Sequence, residues 1–398
     1  MQVVYTGEEM PETVTKSIFL AGPTPRNKQE VTSWRPDAIK LLEDMGYDGV
    51  VFVPEDRKGE YKLEYDDQIG WEEKYLNLAD CIVFWVPRDL TPDTKGFPKM
   101  AAFVTNVEFG HWYDSGKIVF GAPEDAQKVG YLEHYSEKFK VPMAKTLTET
   151  LENAMAMVEN GPERTGGERY VPQLVWNTDS FQSWYAAQKN AGNRLDDARV
   201  LYTFRPGLKD FVFLWVLKVN MWVESEKRNK SNEFVMARPD ISSVLMWRKK
   251  LPLELSEVVI VKEFRSPAST TDGFVHELPG GSSPKKGTPP EETAAEEIHE
   301  ETGFYVKPER IKFHEARQMA STLTSHKAFL YSVELTEEEI EWFKSQEGII
   351  HGNVEDTEQT YIEVLTVKEL LKSTLIDWSS LGMIWSAYYR SWDEDLYA

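Results

Sequence analysis

Only one cysteine, Cys81, occurs in 398 residues. A single thiol closes no intramolecular disulfide and supplies no cysteine-based zinc site, so a reducing, cytoplasmic setting is expected. Long apolar runs are also missing. No stretch approaches the roughly 20 residues that span a bilayer, so no membrane-spanning helix is expected. Met1 to Glu30 has no basic start followed by an apolar run, which argues against a secretory leader. Positive charge is scarce: 45 Lys and Arg stand against 66 Asp and Glu, a net of −21. That balance disfavours nucleic-acid polymers and anionic membranes as partners. Small anionic ligands remain, provided that helix ends, metals or arginines neutralise them locally. What is present is ordinary globular material, 41% hydrophobic and 28% charged, which excludes wholesale disorder. Thirteen Trp, 17 Tyr and 19 Phe suffice for cores and for stacking surfaces. At about 150 residues per domain, the length implies two or three domains.

Residues 1–160 alternate strand and helix patterns. Ser17–Ala21 is a short apolar run stopped by Gly22-Pro23, and Gly49–Val53, Cys81–Val86 and Lys117–Gly121 read as further strands. Between them, Ser33–Met45, Asp66–Leu78, Thr105–Tyr113 and Thr146–Glu159 carry helical spacing. Such alternation predicts an α/β fold, a doubly wound parallel sheet of flavodoxin or Rossmann type, with ligands at the carboxyl ends of its strands. Residues 161–170, rich in glycine and polar side chains, read as a linker. Residues 171–398 then change character. Strand patterns at Phe211–Val223, Ser243–Trp247, Val258–Phe264, Phe274–Leu278, Phe329–Val333 and Tyr361–Leu365 accompany helices at Pro289–Glu301 and Thr336–Gln346. This predicts an α+β second domain.

The helix at Pro289–Glu301 is the most informative segment of that half. Thr288-Pro289-Pro290-Glu291 reads as a helix start with Thr288 as cap, and Gly303 as its stop. Glu297, Glu300 and Glu301 follow at i, i+3 and i+4, so their carboxylates share one face. A divalent cation would offset their repulsion, and Mg²⁺ favours carboxylate oxygens together with substrate phosphates. A solvated acidic face is the other reading of the bare cluster. The run Gly281 … Ala294-Ala295-Glu296-Glu297-Ile298-His299-Glu300-Glu301-Thr302-Gly303-Phe304 resembles the signature of the Nudix hydrolases. Ile260–Arg265 and Glu277–Gly281 look like the strands that precede it in members acting on ADP-ribose and nucleotide sugars, and the resemblance covers roughly 171–392. It implies a Nudix fold in which Glu297, Glu300 and Glu301 hold Mg²⁺ or Mn²⁺ and activate water against a diphosphate. It further implies a carboxylate from a later loop, Glu355 or Glu358, and Arg265 as a phosphate contact. Two positions depart from the family: Glu296 replaces its arginine, and Thr288 replaces an earlier glutamate.

In the first half, Ile18–Pro23 combines with Gln68-Ile69-Gly70-Trp71-Glu72, Ala79–Pro87 and Thr105-Asn106-Val107-Glu108-Phe109-Gly110. Together they resemble the nucleoside 2-deoxyribosyltransferase-like family over about 16–159. Breaking an N-glycosidic bond develops oxocarbenium character, which a carboxylate can trap as an ester while a second acid protonates the leaving base. By resemblance Glu108 is that nucleophile and Glu72 the proton-handling group, with Glu73 and Glu55 as rivals. Gly22 and Pro23 would let backbone approach the sugar, Asn106 would bond a hydroxyl, and Trp71 would stack on the base. Trp71 and Trp85 read equally as core residues, and Asp80 as a structural cap. Phe19, lacking a hydroxyl, and the unusual loop Leu90–Val104 mark a divergent member. The combined expectation is a bifunctional, homo-oligomeric enzyme of nucleosides and nucleotides. A nucleotide-binding sensor with one catalytically degenerate domain is the alternative, kept open by Glu296.

Overall fold

The computed structural model describes residues 1–25, 27, 29–57, 64–208, 211–282, 289–352 and 358–397. Thr288 and Glu355 lie outside the described residues. Internal contacts divide the chain into two compact units, Met1–Met236 and Ala237–Ala398.

The first unit is built on six parallel strands: β1 (Gln2–Tyr5), β2 (Ser17–Ala21), β3 (Val50–Val53), β4 (Cys81–Trp85), β5 (Ile118–Gly121) and β6 (Met143–Ala144). Their order in the sheet is β1-β3-β2-β4-β5-β6. Every residue of β2 to β5 is buried, as expected for a sheet covered on both faces. Alternation then sends successive side chains to opposite layers. Phe19, Phe52, Phe84 and Phe120 pack beneath α2 (Tyr65–Leu78), α3 (Phe103–Trp112) and α4 (Gly130–Lys138). Ile18, Val51, Val83 and Val119 pack against α1 (Arg35–Asp44) and α5 (Leu147–Met157). The doubly wound parallel sheet expected from the sequence is therefore present. The chain leaves β2 toward β3 and returns across it to β4, so a switch in winding direction falls at the carboxyl ends of β2 and β4.

Residues 161–170 are not a linker, and the first unit continues well beyond them. Arg164 and Asp80, both fully buried, form a bidentate pair at 2.8 and 2.6 Å, and Asp80 also accepts from Ser17 and from the Gln173 backbone. Removing either charged partner would strand the other in the interior, at a cost of about 3–5 kcal/mol. Asp80 is thus a structural hub. The glycines that resembled flexible breakers are instead close contacts. A Cβ at Gly161 would stand 1.8 Å from the Thr15 carbonyl oxygen, and one at Gly167 2.2 Å from that of Leu195. Helix α6 (Asp179–Asn190) and the antiparallel sheet β7 (Arg194–Phe204), β8 (Leu214–Val223) and β9 (Arg228–Ala237) follow. Asn77 on α2 exchanges hydrogen bonds with the backbone of Val200 on β7, at 3.0 and 3.1 Å. Most of what the sequence assigned to the second domain before Ala237 thereby belongs to the first.

The second unit has a mixed sheet. Its strands are β10 (Ile241–Arg248), β11 (Glu257–Glu263), β12 (Val275–Glu277), β13 (Lys312–Gln318), β14 (Lys327–Glu334) and β15 (Thr360–Thr366). They run β13-β14-β10-β11-β15, with β12 paired to β11 and Gly280–Gly281 paired to β10. Helices α7 (Pro290–Thr302) and α8 (Glu337–Ser345) cover the face carrying Val244, Met246 and Val259. Helices α9 (Val367–Lys372) and α10 (Trp378–Tyr397) cover the opposite face, carrying Leu245, Trp247 and Ile260. Gly303, at φ 70°, ends α7 in the left-handed conformation that glycine tolerates best. Among the described residues no helix is long and apolar enough to cross a membrane.

Candidate active site

The carboxyl end of β2 is held open by one glycine and tied down by one arginine. Gly22 has φ +149°, and a Cβ there would lie 2.2 Å from the Trp85 carbonyl oxygen at the end of β4. No larger residue lets the two strand ends come so close. Beside this turn, Arg35 opens α1 with its side chain buried. Its guanidinium donates to the carbonyls of Leu20 (3.0 Å) and Gly22 (2.7 Å), to Thr24 Oγ1 (2.9 Å) and to Glu55 Oε1 (2.5 Å). Ser33 adds a bond to the same Glu55 oxygen at 2.7 Å. The buried charge is thus compensated, and the Gly22-Pro23 turn is fixed to the end of β3.

Above this floor lies a cavity of about 360 Å³, lined by Gly22, Pro23, Arg35, Glu72 and Glu108 among others. Glu72 projects from α2, where Gln68, one turn earlier, donates to it at 2.9 Å. Glu108 projects from α3, which starts from Ala102 in the left-handed conformation at φ 57°. The loop expected at Leu90–Val104 contains a β-hairpin, Asp89–Pro92 with Pro98–Met100, and its Phe97, Pro98 and Lys99 form part of the cavity wall.

The charge of Glu72 bears on Glu108. Burial pushes Glu108 up to about 7, the nearby charge of Glu72 adds to the rise, and Arg35 opposes it. Glu72 is also raised by burial, against the hydrogen bond from Gln68 and the charge of Arg35. Glu108 therefore keeps its proton toward neutral pH, and Glu72 gives up its own less readily than a solvated carboxyl does.

Gly22, Pro23, Glu72 and Glu108 therefore meet at one cavity; Trp71 and Asn106 do not line it. Trp71 packs on Tyr75 and Phe19, at ring separations of 4.4 and 6.1 Å, and donates to the Glu8 carbonyl at 3.3 Å. It anchors the core and is not placed to stack on a base. The Asn106 side-chain oxygen accepts from Arg88 at 2.5 Å. Helical rotation explains both misplacements, since neighbours one or two residues from a pocket-facing position point elsewhere. Of the rivals, Glu73 is exposed and Glu55 is held by Arg35.

In the second unit, Glu301 is buried and accepts from the Gly280 N–H at 2.9 Å. Glu297 lies against Gly281, where a Cβ would stand 2.5 Å from its carboxyl carbon. Glu300 is exposed. Burial pushes Glu297 up to about 7, helped by the charges of Glu300, Glu358 and Glu296. It pushes Glu277 to about 7 as well, and it holds Glu301 well above the carboxylate range, with Glu297, Glu277 and Glu263 adding to the rise. Hard oxygen donors that resist ionisation together are suited in kind to a hard divalent cation. Yet among the described residues no group of three or more His, Cys, Asp or Glu is placed to hold a metal ion. Arg265, expected on a phosphate, lies 2.8 Å from Glu263 and 3.4 Å from Glu358. A phosphate would have to share it with them. Arg238, which the sequence reading missed, is a second cation acting on Glu277 and Glu297.

A sequence profile of the family described as "Nucleoside 2-deoxyribosyltransferase like" matches residues 15–126. The first unit thus contains a nucleoside 2-deoxyribosyltransferase-like domain. No curated protein matches the chain. The matched segment holds Gly22, Pro23, Arg35, Glu72 and Glu108, the residues that converge on the transferase-like cavity. Arg35 and Lys99 were missed in the sequence because nothing local distinguishes them. Arg35 opens a helix, and Lys99 sits in an unassigned loop; only the tertiary fold brings them to the cavity.

If the ionised form of Glu108 is the reactive one, kcat/KM rises with pH through an apparent value near 7. With a nitrophenyl glycoside, whose leaving group needs no proton, Glu72→Gln moves that limb to lower pH by removing a like charge. Arg35→Met moves it to higher pH by removing a cation. Limbs that stay put in both variants contradict this coupling.

Proposed function

We propose that the first unit cleaves the N-glycosidic bond of a nucleoside or nucleotide through an ester on Glu108. The observation that carries this reading is the convergence of Glu72 and Glu108 on one cavity beside the Gly22-Pro23 turn. In the productive state Glu108 is ionised and Glu72 is protonated. As the bond to the base lengthens, positive charge grows at C1′, which favours the anionic form of Glu108. Its oxygen bonds to C1′, and the electron pair of the broken bond leaves with the base, which takes the proton from Glu72. Glu72, now ionised, then deprotonates a water that displaces Glu108 from C1′ with overall retention. An incoming base in place of water gives base exchange. Ile69, Phe97, Phe103 and Val104 expose apolar surface on residues that line this cavity, which suits coverage by another copy in a homo-oligomer. The lone buried thiol and the negative net charge suit a cytoplasmic protein acting on small nucleosides and nucleotides, without nucleic-acid or membrane partners.

Nucleosides and their 5′-monophosphates, incubated with and without an acceptor base, should release free base or exchange it. Glu72→Gln should slow this by about 10²–10⁴-fold, the usual range for a lost acid–base group, and Glu108→Gln should abolish it. A Glu108→Gln protein of undiminished rate overturns the reading.

For the second unit we propose Nudix-like hydrolysis of a nucleoside diphosphate derivative such as ADP-ribose, which would make the chain bifunctional. Glu297, Glu300 and Glu301 would hold Mg²⁺ or Mn²⁺, with Glu358 within electrostatic reach. The bound ion would supply Lewis acidity toward the diphosphate and its attacking water. The exposure of Glu300 and the lack of a gathered trio favour the second reading, a nucleotide-binding sensor. Cleavage of ADP-ribose that needs Mg²⁺ and is lost in Glu300→Gln supports the enzyme; binding without cleavage supports the sensor.

A thermal measurement checks the cation itself. The raised carboxyls of Glu277 and Glu297 favour the folded state while protonated, and that stability is lost as pH rises through about 7. Added Mg²⁺ or Mn²⁺ should therefore raise the Tm at pH 8 and leave it nearly unchanged at pH 5, with EDTA reversing the gain. Glu297→Gln should raise the metal-free Tm at pH 8 and blunt the metal response. No metal response at pH 8 contradicts a cation site.

A further inference from the structure

The second unit contains a cleft on the face of the sheet opposite α7. It has a volume of about 1160 Å³ and lies between α10 and the β13–β14 hairpin. Three large aromatic residues of α10 line it while exposed to solvent: Trp378 at 89%, Trp385 at 44% and Tyr389 at 71%. Their spacing of seven and four residues sets them in one stripe along the helix. Gly382 sits within that stripe, and apart from its chain neighbours and its own helix backbone nothing lies within 4 Å of where its Cβ would stand. The stripe is therefore notched, leaving room for a flat group between the rings. Exposed aromatic area in a concave setting is the ordinary mark of a ligand or partner surface.

The other wall determines the ligand's charge. Glu315 on β13, largely buried, accepts hydrogen bonds from Ser386, from Arg317 Nε at 2.7 Å and from Arg390 Nη2 at 2.9 Å. One carboxylate thus orients two guanidiniums, and the charged lining sums to a positive excess in a chain of net −21. Each guanidinium has five N–H donors, so donors remain for an anion. Aromatic faces and oriented guanidiniums side by side match the two halves of a nucleotide: a base that stacks and a phosphate that accepts.

We propose that this cleft is a mononucleotide-binding site. The base stacks against Trp378, Trp385 and Tyr389, and the phosphate bonds to Arg317 and Arg390. The assignment stands independently of either proposed reaction.

The test uses the full chain carrying Glu108→Gln and Glu300→Gln, so that neither proposed reaction consumes the probe. AMP, GMP, CMP and UMP are titrated calorimetrically, with adenosine and inorganic phosphate as controls. At least one monophosphate should bind with a component that Trp378→Ala/Tyr389→Ala removes. Both side chains are exposed enough for their loss to leave the fold intact, and circular dichroism confirms that. Arg390→Glu should weaken the same component at least tenfold without weakening binding of the free nucleoside there. The proposal is overturned if no monophosphate binds, or if every binding component survives in Trp378→Ala/Tyr389→Ala. It is equally overturned if sedimentation shows concentration-dependent self-association that Trp378→Ala abolishes, since the cleft then holds a second copy.

Discussion

Carboxylates that share a buried space cannot all ionise without compensation, and both units are arranged around that constraint. In the first, Glu72 and Glu108 face one cavity, where burial raises the proton affinity of both and the charge of Glu72 raises that of Glu108 further. In the second, burial raises Glu277, Glu297 and Glu301, and neighbouring carboxylates add to each rise. Folding alone does not favour such arrangements, because each buried like charge lowers stability. In the reaction proposed for the first unit, two such carboxyls act as nucleophile and acid in turn.

The first unit shows how little backbone is needed to build this. A change in winding direction leaves a crevice between β2 and β4, and Gly22 lets the strand ends approach at its base. Arg35 then ties the turn to β3 through Glu55. Its charge also moderates both cavity carboxyls, so one buried guanidinium shapes the floor and tunes the acids above it. The arm containing Arg164 locks onto Asp80 at the opposite end of β4, joining residues 160–236 to the same unit.

Much of this was legible in the sequence where the signal was local. The apolar runs of β2 to β5 are continuous and bounded by turn residues, so their burial on both faces could be read directly. Glu108 and Glu72 stood out because neighbouring residues formed a recognisable pattern around them. Long-range features were not legible. Arg164 sits in a polar, glycine-rich stretch that mimics a linker, and only the fold reveals Asp80 as its partner. Proximity in sequence suggests Trp71 and Asn106 at the cavity, but the turn of each helix carries them off its lining. The exposure of Glu300 beside buried Glu301 likewise depends on how α7 rolls onto its sheet, which spacing alone does not determine.

The reaction proposed for the first unit stands on a bond between Glu108 and the sugar. Incubation with a 2-fluoro-2-deoxy nucleoside, whose fluorine slows breakdown of the ester, followed by intact-mass and peptide mass spectrometry, examines that bond directly. A mass increase equal to the fluorinated glycosyl group, located on Glu108 and lost in Glu108→Gln, is the predicted result. Base release with no adduct, or an adduct on another residue, would contradict it.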